Sequence, residues 1–156
     1  MAQLSFHSPI GDLTISEDDG YIVSLDWGWS PFSEETPLLV TCKTELDAYF
    51  DGLNPSFSAP LSTTGTDFQK QVWQTMQKIP YGKTMTYGEV ATKLGSHARA
   101  VGTACGMNPI PVLIPCHRIM GQNGKLTGFS GGEGVETKRF LLDLERATSP
   151  QRDTLL

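Results

Sequence analysis

Leu4 and Phe6 alternate with polar residues, and Leu13 and Ile15 do the same, the period-two pattern of half-buried strands. A third strand is read over residues 22–27. Asp19-Gly20 marks a tight turn before it, and Pro9-Ile10-Gly11 supplies an earlier one. The period then changes. Leu38, Leu39, Cys42, Leu46, Tyr49, Phe50 and Leu53 recur at helical spacing, which predicts a helix over 37–51 ending at Gly52. Residues 54–65 are rich in Ser, Thr, Pro and Gly and read as a linker.

The second half is mostly helical in pattern. Thr66 and Gln69 have the spacing of a capping box, and Phe68, Val72, Trp73, Met76 and Ile79 form one buried face before Pro80 and Gly82. Residues 87–94 predict a short helix stopped by Gly95. Ser96 is placed to cap a second helix over 97–106, rich in small residues. Helix, glycine turn and helix give a helix-turn-helix outline. A short apolar strand held between Pro109, Pro111 and Pro115 is expected to end on Cys116. A glycine-rich loop and a helix over 135–146, packed through Phe140, Leu141 and Leu144, complete the chain. Strands followed by helices predict an α+β fold, with an N-terminal part over 1–63 and a C-terminal part over 64–156.

Composition narrows the class. Hydrophobic residues make up 38%, enough for a packed core. No apolar run approaches the roughly 18 residues of a membrane span, and the start lacks a signal-peptide pattern. A soluble cytoplasmic protein with no membrane contact is expected. Cys42, Cys105 and Cys116 are too few for a disulfide framework, and no C-x-x-C or H-x-x-x-H spacing offers a zinc site. Neither a metal nor a cofactor is expected. The net charge of −5 argues weakly against nucleic acid, but it is unevenly spread. Residues 1–63 hold 10 acidic and 1 basic residue, whereas residues 64–156 hold 7 acidic and 11 basic. The basic half is the candidate nucleic-acid face.

Cys42 lies on an apolar stripe and Cys105 among small packing residues, so both read as core thiols. Cys116 differs. Pro115 precedes it, His117 and Arg118 follow, and a glycine-rich loop comes next. Cationic neighbours favour the thiolate, the form that attacks carbon. On the residues alone two readings stand: a reactive nucleophile, or a strand-end cysteine beside a structural histidine.

Pro115-Cys116-His117-Arg118 resembles the central motif of the O6-alkylguanine-DNA alkyltransferases, also called methylated-DNA–protein-cysteine methyltransferases. Residues 79–87 (IPYGKTMTY), Ala98-Arg99-Ala100-Val101-Gly102, Asn108-Pro109 and Ser130-Gly131-Gly132 extend the resemblance in order. It is specific from about Phe68 to Glu145 and weaker over 1–63. It implies an RNase H-like N-terminal domain and a C-terminal domain with a helix-turn-helix and an active-site loop. It also implies a direct-reversal repair activity that flips O6-alkylguanine, and in some members O4-alkylthymine, out of duplex DNA. The alkyl group then passes irreversibly to Cys116, once per molecule.

The resemblance assigns further roles. His117 draws the thiol proton through a water, Glu145 orients His117, Asn108 links this network to the helix-turn-helix, and Tyr87 protonates the departing base. Arg99 fills the space of the flipped nucleotide. Ala98, Ala100, Gly102 and Thr103 allow close approach to the minor groove. Arg118, the carbonyls of Cys116 and Ile119, Phe129 and Ser130 belong to the substrate and DNA contacts. Phe129 stands where some members have tyrosine, so a hydroxyl contact is lost there. The implied partner is double-stranded DNA, bound by a monomer with clustering on DNA as an option. Three other classes compete. Alkyltransferase-like binding modules lack the acceptor cysteine, whereas Cys116 is present. A helix-turn-helix regulator would bind undamaged sequence, and a cysteine hydrolase would turn over an ester.

Overall fold

A computed structural model of the chain describes residues 1–53, 55–129 and 131–148. Three antiparallel strands open it: β1 (Ala2–Phe6), β2 (Leu13–Asp18) and β3 (Tyr21–Trp27), in the order β1-β2-β3. Leu4 pairs with Ile15 and Ile15 with Leu25, so apolar positions share one face. Asp19 and Gly20 both adopt positive φ, as the tight β2–β3 connection requires. Helix α1 (Pro37–Phe50) lays Leu39, Cys42, Leu46, Tyr49 and Phe50 against this sheet. Its Thr36 cap accepts from Leu39 N–H, which satisfies one of the orphan donors of the first turn.

The C-terminal elements are α2 (Asp67–Gln77), β4 (Met85–Thr86), α3 (Tyr87–Leu94), α4 (Ala98–Gly106), β5 (Ile119–Met120) and α5 (Val135–Thr148). The Thr66–Gln69 capping box at α2 is present in both halves, and a second box, Thr86–Glu89, starts α3. Gly95 ends α3 in the left-handed conformation. Helices α3 and α4 then pack as the two arms of the helix-turn-helix. The fold is α+β, with a small sheet part followed by a helical part.

Three local features differ from those expected of the sequence. The residue capping α4 is His97, not Ser96, and its side chain makes no cap hydrogen bond. The strand expected before Cys116 is a tight turn. Ile114 N–H donates to the Ile110 carbonyl at 2.8 Å, and Val112 takes a φ of +73°. Prolines at 109, 111 and 115 have no N–H to give a ladder, so the segment folds on itself. On α5, Phe140 is exposed. The buried stripe runs through Lys138, Leu141, Leu142 and Glu145.

The two parts of the chain share a continuous core. Leu25 N–H donates to the Pro109 carbonyl at 3.0 Å, which ties β3 to the turn that carries Cys116. No helix of the described residues is long and apolar enough to cross a membrane.

Candidate active site

Residues Cys116–Arg118 form a single 3-10 turn. It is held by Cys116 N–H on the Ile114 carbonyl (2.8 Å) and Arg118 N–H on the Pro115 carbonyl (2.9 Å). Asn108 clamps the preceding segment from both ends. Its carboxamide donates to the Ile114 carbonyl at 2.9 Å and accepts from Ile110 N–H at 2.9 Å. Immediately after the turn, Ile119 and Met120 pair in parallel with Met85 and Thr86. This two-residue ladder brings Tyr87, the first residue of α3, beside the cysteine. No local pattern in the sequence announces it.

Cys116 is 8% exposed. Burial pushes its thiol up, while the Asn108 carboxamide, Lys138 and the backbone N–H groups of Cys116 and His117 work the other way. The cationic help expected from Arg118 is absent, because Arg118 turns away from the thiol. Arg118 is buried, and its Nε and Nη2 donate to Glu145 at 2.8 and 3.0 Å, with Nη1 on the Ile79 carbonyl at 2.8 Å. Arg118, expected among the DNA contacts, is here an internal strut for the carboxylate.

Glu145 is the hub of the interior cluster. It accepts from His117 Nε2 at 2.6 Å, from the Tyr49 hydroxyl at 2.5 Å and from Gly82 N–H at 3.2 Å, besides Arg118. Burial alone would raise its carboxyl, but the hydrogen bonds from His117 and Arg118 and the charge of Arg118 outweigh this and hold it down at about 2. Burial likewise drives His117 toward the neutral imidazole, against the pull of Glu145. An ionised carboxylate offers no proton, so the single imidazole hydrogen sits on Nε2. Nδ1 is therefore a buried acceptor, and it has no protein partner among the described residues. A neutral histidine with its free lone pair fixed by a carboxylate is poised to take a proton.

Three participants were not legible in the sequence. Tyr49 comes from α1 in the N-terminal part, where its ring fits the apolar stripe. Its hydroxyl also lies 3.4 Å from His117 Nε2. Lys138 is fully buried, donates to the Thr127 carbonyl at 2.8 Å and stands 5.7 Å from the Tyr87 ring centre. Trp27 of β3 packs edge-on to Phe129, with ring centres 6.1 Å apart. Only their tertiary placement, not their spacing, marks them.

A cavity of about 340 Å³ is lined by Tyr87, Gly102, Cys105, Cys116 and Phe129, among others. That size falls within the ordinary range for a small-molecule site, roughly 300–1,000 Å³. Burial pushes the Tyr87 phenol up, so it stays protonated and able to donate. Cys105 shares this cavity, but burial and the neighbouring Cys116 push its thiol up to about 12. On α4, Ala98, Arg99 and Thr103 are exposed, while Ala100 and Gly102 are half-buried. Ile119 is fully buried behind the site. Ser130 lies outside the described residues. Among the described residues no group of three His, Cys, Asp or Glu side chains is placed to hold a metal.

Comparison with known proteins places this geometry. Residues 67–147 match the family described as 6-O-methylguanine DNA methyltransferase, DNA binding domain, and residues 3–63 match its ribonuclease-like domain. The constitutive methylated-DNA–protein-cysteine methyltransferase of Bacillus subtilis is 40% identical, over 93% of this chain and 95% of its own. A counterpart in Methanosarcina acetivorans is also 40% identical, over 90% of this chain and 95% of its own. The crystal structure of Mycobacterium tuberculosis OGT in complex with DNA superposes with a TM-score of 0.85 at 39% identity, covering 99% of each chain. Both halves of the chain and nearly its whole length agree, and the chain belongs to the 6-O-methylguanine DNA methyltransferase family.

Proposed function

We propose that the chain repairs DNA by taking the alkyl group of O6-alkylguanine onto Cys116, in one irreversible transfer per molecule. The observation that carries this reading is the arrangement around Glu145. The carboxylate fixes the Nε2 tautomer of His117 and leaves Nδ1 as a buried base one residue from the only cysteine on the reactive turn. Through an intervening water, Nδ1 takes the Cys116 proton. The sulfur attacks the alkyl carbon, an S–C bond forms and the C–O6 bond breaks. Its electrons return to the guanine, which accepts a proton from Tyr87. The Tyr87 phenolate regains that proton from solvent or from protonated His117. Burial keeps the thiol protonated, so the nucleophile forms only when His117 takes its proton.

The O6 carbon lies inside the duplex, so the base must leave the stack to reach the cavity. We assign Arg99, exposed at the start of α4, to the space it vacates. Ala98, Ala100, Gly102 and Thr103 then allow α4 to approach the minor groove, with Phe129 as a wall and Ser130, by family resemblance, among the substrate contacts. Residues 1–63 act as a domain that buttresses residues 64–156, and the protein acts as a monomer on double-stranded DNA. Titration with duplex carrying labelled O6-methylguanine tests the reading. Accepted label should level off at one methyl per molecule. Tight lesion binding without transfer would instead support a binding module.

A further inference from the structure

Cys116 faces two chambers. Besides the cavity beside Tyr87, a second one of about 260 Å³ opens on its other side, lined by Trp27, Pro111, Cys116, Phe129, Gly131 and Gly132. Phe129, like Cys116, lines both. The second chamber has no role in holding guanine if the base occupies the first. In-line displacement gives it one. Sulfur, carbon and departing oxygen lie along one line, so any further part of the alkyl group must project sideways from that line. The second chamber is the space beside the sulfur that is left for it. A cavity on the order of 150 Å³ holds benzene, so this one accepts a ring the size of benzyl.

The outer wall is Trp27, which comes from the N-terminal sheet. Its indole Nε1 donates to the Ile10 carbonyl at 2.9 Å, which pins the ring. The ring then lies on two glycines. A Cβ at Gly131 would overlap the Trp27 ring, and one at Gly132 would come within 2.8 Å of Trp27 Nε1. Gly132 also has a φ of +52°. The contact exists only because both positions lack a side chain.

We infer that Trp27 is a specificity-determining residue, the wall that sets the largest alkyl group Cys116 accepts. This rests on the transfer reading above. The wild-type protein takes methyl and benzyl groups from duplex DNA and stalls on a biphenylmethyl group, which reaches the indole.

The test measures transfer rates from duplexes carrying O6-methyl-, O6-benzyl- and O6-(biphenylmethyl)guanine. Trp27→Ala should raise the biphenylmethyl-to-methyl rate ratio by at least about tenfold, as expected for changes of size in an apolar pocket. Trp27→Leu, which keeps an apolar filler, should move the ratio the same way by a smaller factor, so misfolding of Trp27→Ala leaves the test standing. A ratio unchanged in Trp27→Leu, or one that falls, overturns the inference while methyl transfer continues. Failure of the wild type to accept methyl overturns the transfer reading itself, and with it this one.

Discussion

The turn around Cys116 and the helix α4 are neighbours built on opposite terms. Around Cys116 the charged groups are buried and bonded to one another. Glu145 and His117 are 1% and 0% exposed, and five donor groups from four residues converge on one carboxylate. On α4 the charge is in water. Arg99 is exposed, and its neighbours are alanine, glycine and threonine. The first region makes position and proton affinity stiff, as proton transfer requires. The second leaves a smooth face on which a large partner settles. The protein thus separates chemistry from docking, and mutations should divide along the same line.

The strongest break is Cys116→Ser, which should abolish transfer entirely while lesion binding persists in a gel-shift assay. Residual methyl acceptance would refute the assignment. Next comes the carboxylate hub. Removing one partner of a buried ion pair costs about 3–5 kcal/mol, so Arg118→Ala should lower stability by that order in urea unfolding. A loss below about 1 kcal/mol, the worth of a surface pair, would mean that the cluster is not buried in solution. Tyr49→Phe removes one hydrogen bond to a charged group and should cost about 1.5–3 kcal/mol.

Acid should act on the same cluster. Burial keeps His117 neutral in the folded state, whereas the unfolded chain takes up a proton below the ordinary 6.5. Stability contributed by that burial is therefore lost as pH falls below about 6.5. Glu145 shifts from an ordinary 4.5 to about 2, so its contribution is present above 4.5 and is lost progressively toward 2. Melting temperature against pH should decline in these two stages, and a flat profile down to pH 4 would contradict the cluster. Arg99→Ala marks the other side of the division. Its stability should change by no more than about 0.5 kcal/mol. Transfer from duplex should still fall about tenfold or more, because extruding a base costs a few kcal/mol. Transfer from the free alkylated base should be nearly unaffected, and equal losses on both substrates would deny Arg99 a part in flipping.

The two regions also differed in how much of them could be read from the sequence. The docking side was legible, because helix caps and turns are local chemistry. Thr66 with Gln69, Gly95 and the small residues of α4 announce their elements. At the chemical site the motif from Pro115 to Arg118 was visible, but its surroundings were not. Arg118 reads as a DNA contact until the fold turns it inward onto Glu145. Lys138 and Glu145 lie on the same stripe of α5 as Leu141 and Leu142, and periodicity assigns charged residues to solvent. Tyr49 and Trp27 arrive from the other half of the chain, where they pass as core aromatics. The proline-bounded apolar segment looked like a strand because hydrophobicity does not record missing donors.

One thiol among three is the alkyl acceptor. Cys42 and Cys105 are both pushed up to about 12, and Cys105 shares the base cavity with Cys116. Peptide mass mapping after incubation with duplex DNA containing O6-methylguanine discriminates them. One added methyl is expected, found only on the peptide carrying Cys116. A methyl on the Cys105 peptide, or an unmodified Cys116 after the lesion has disappeared, would contradict it.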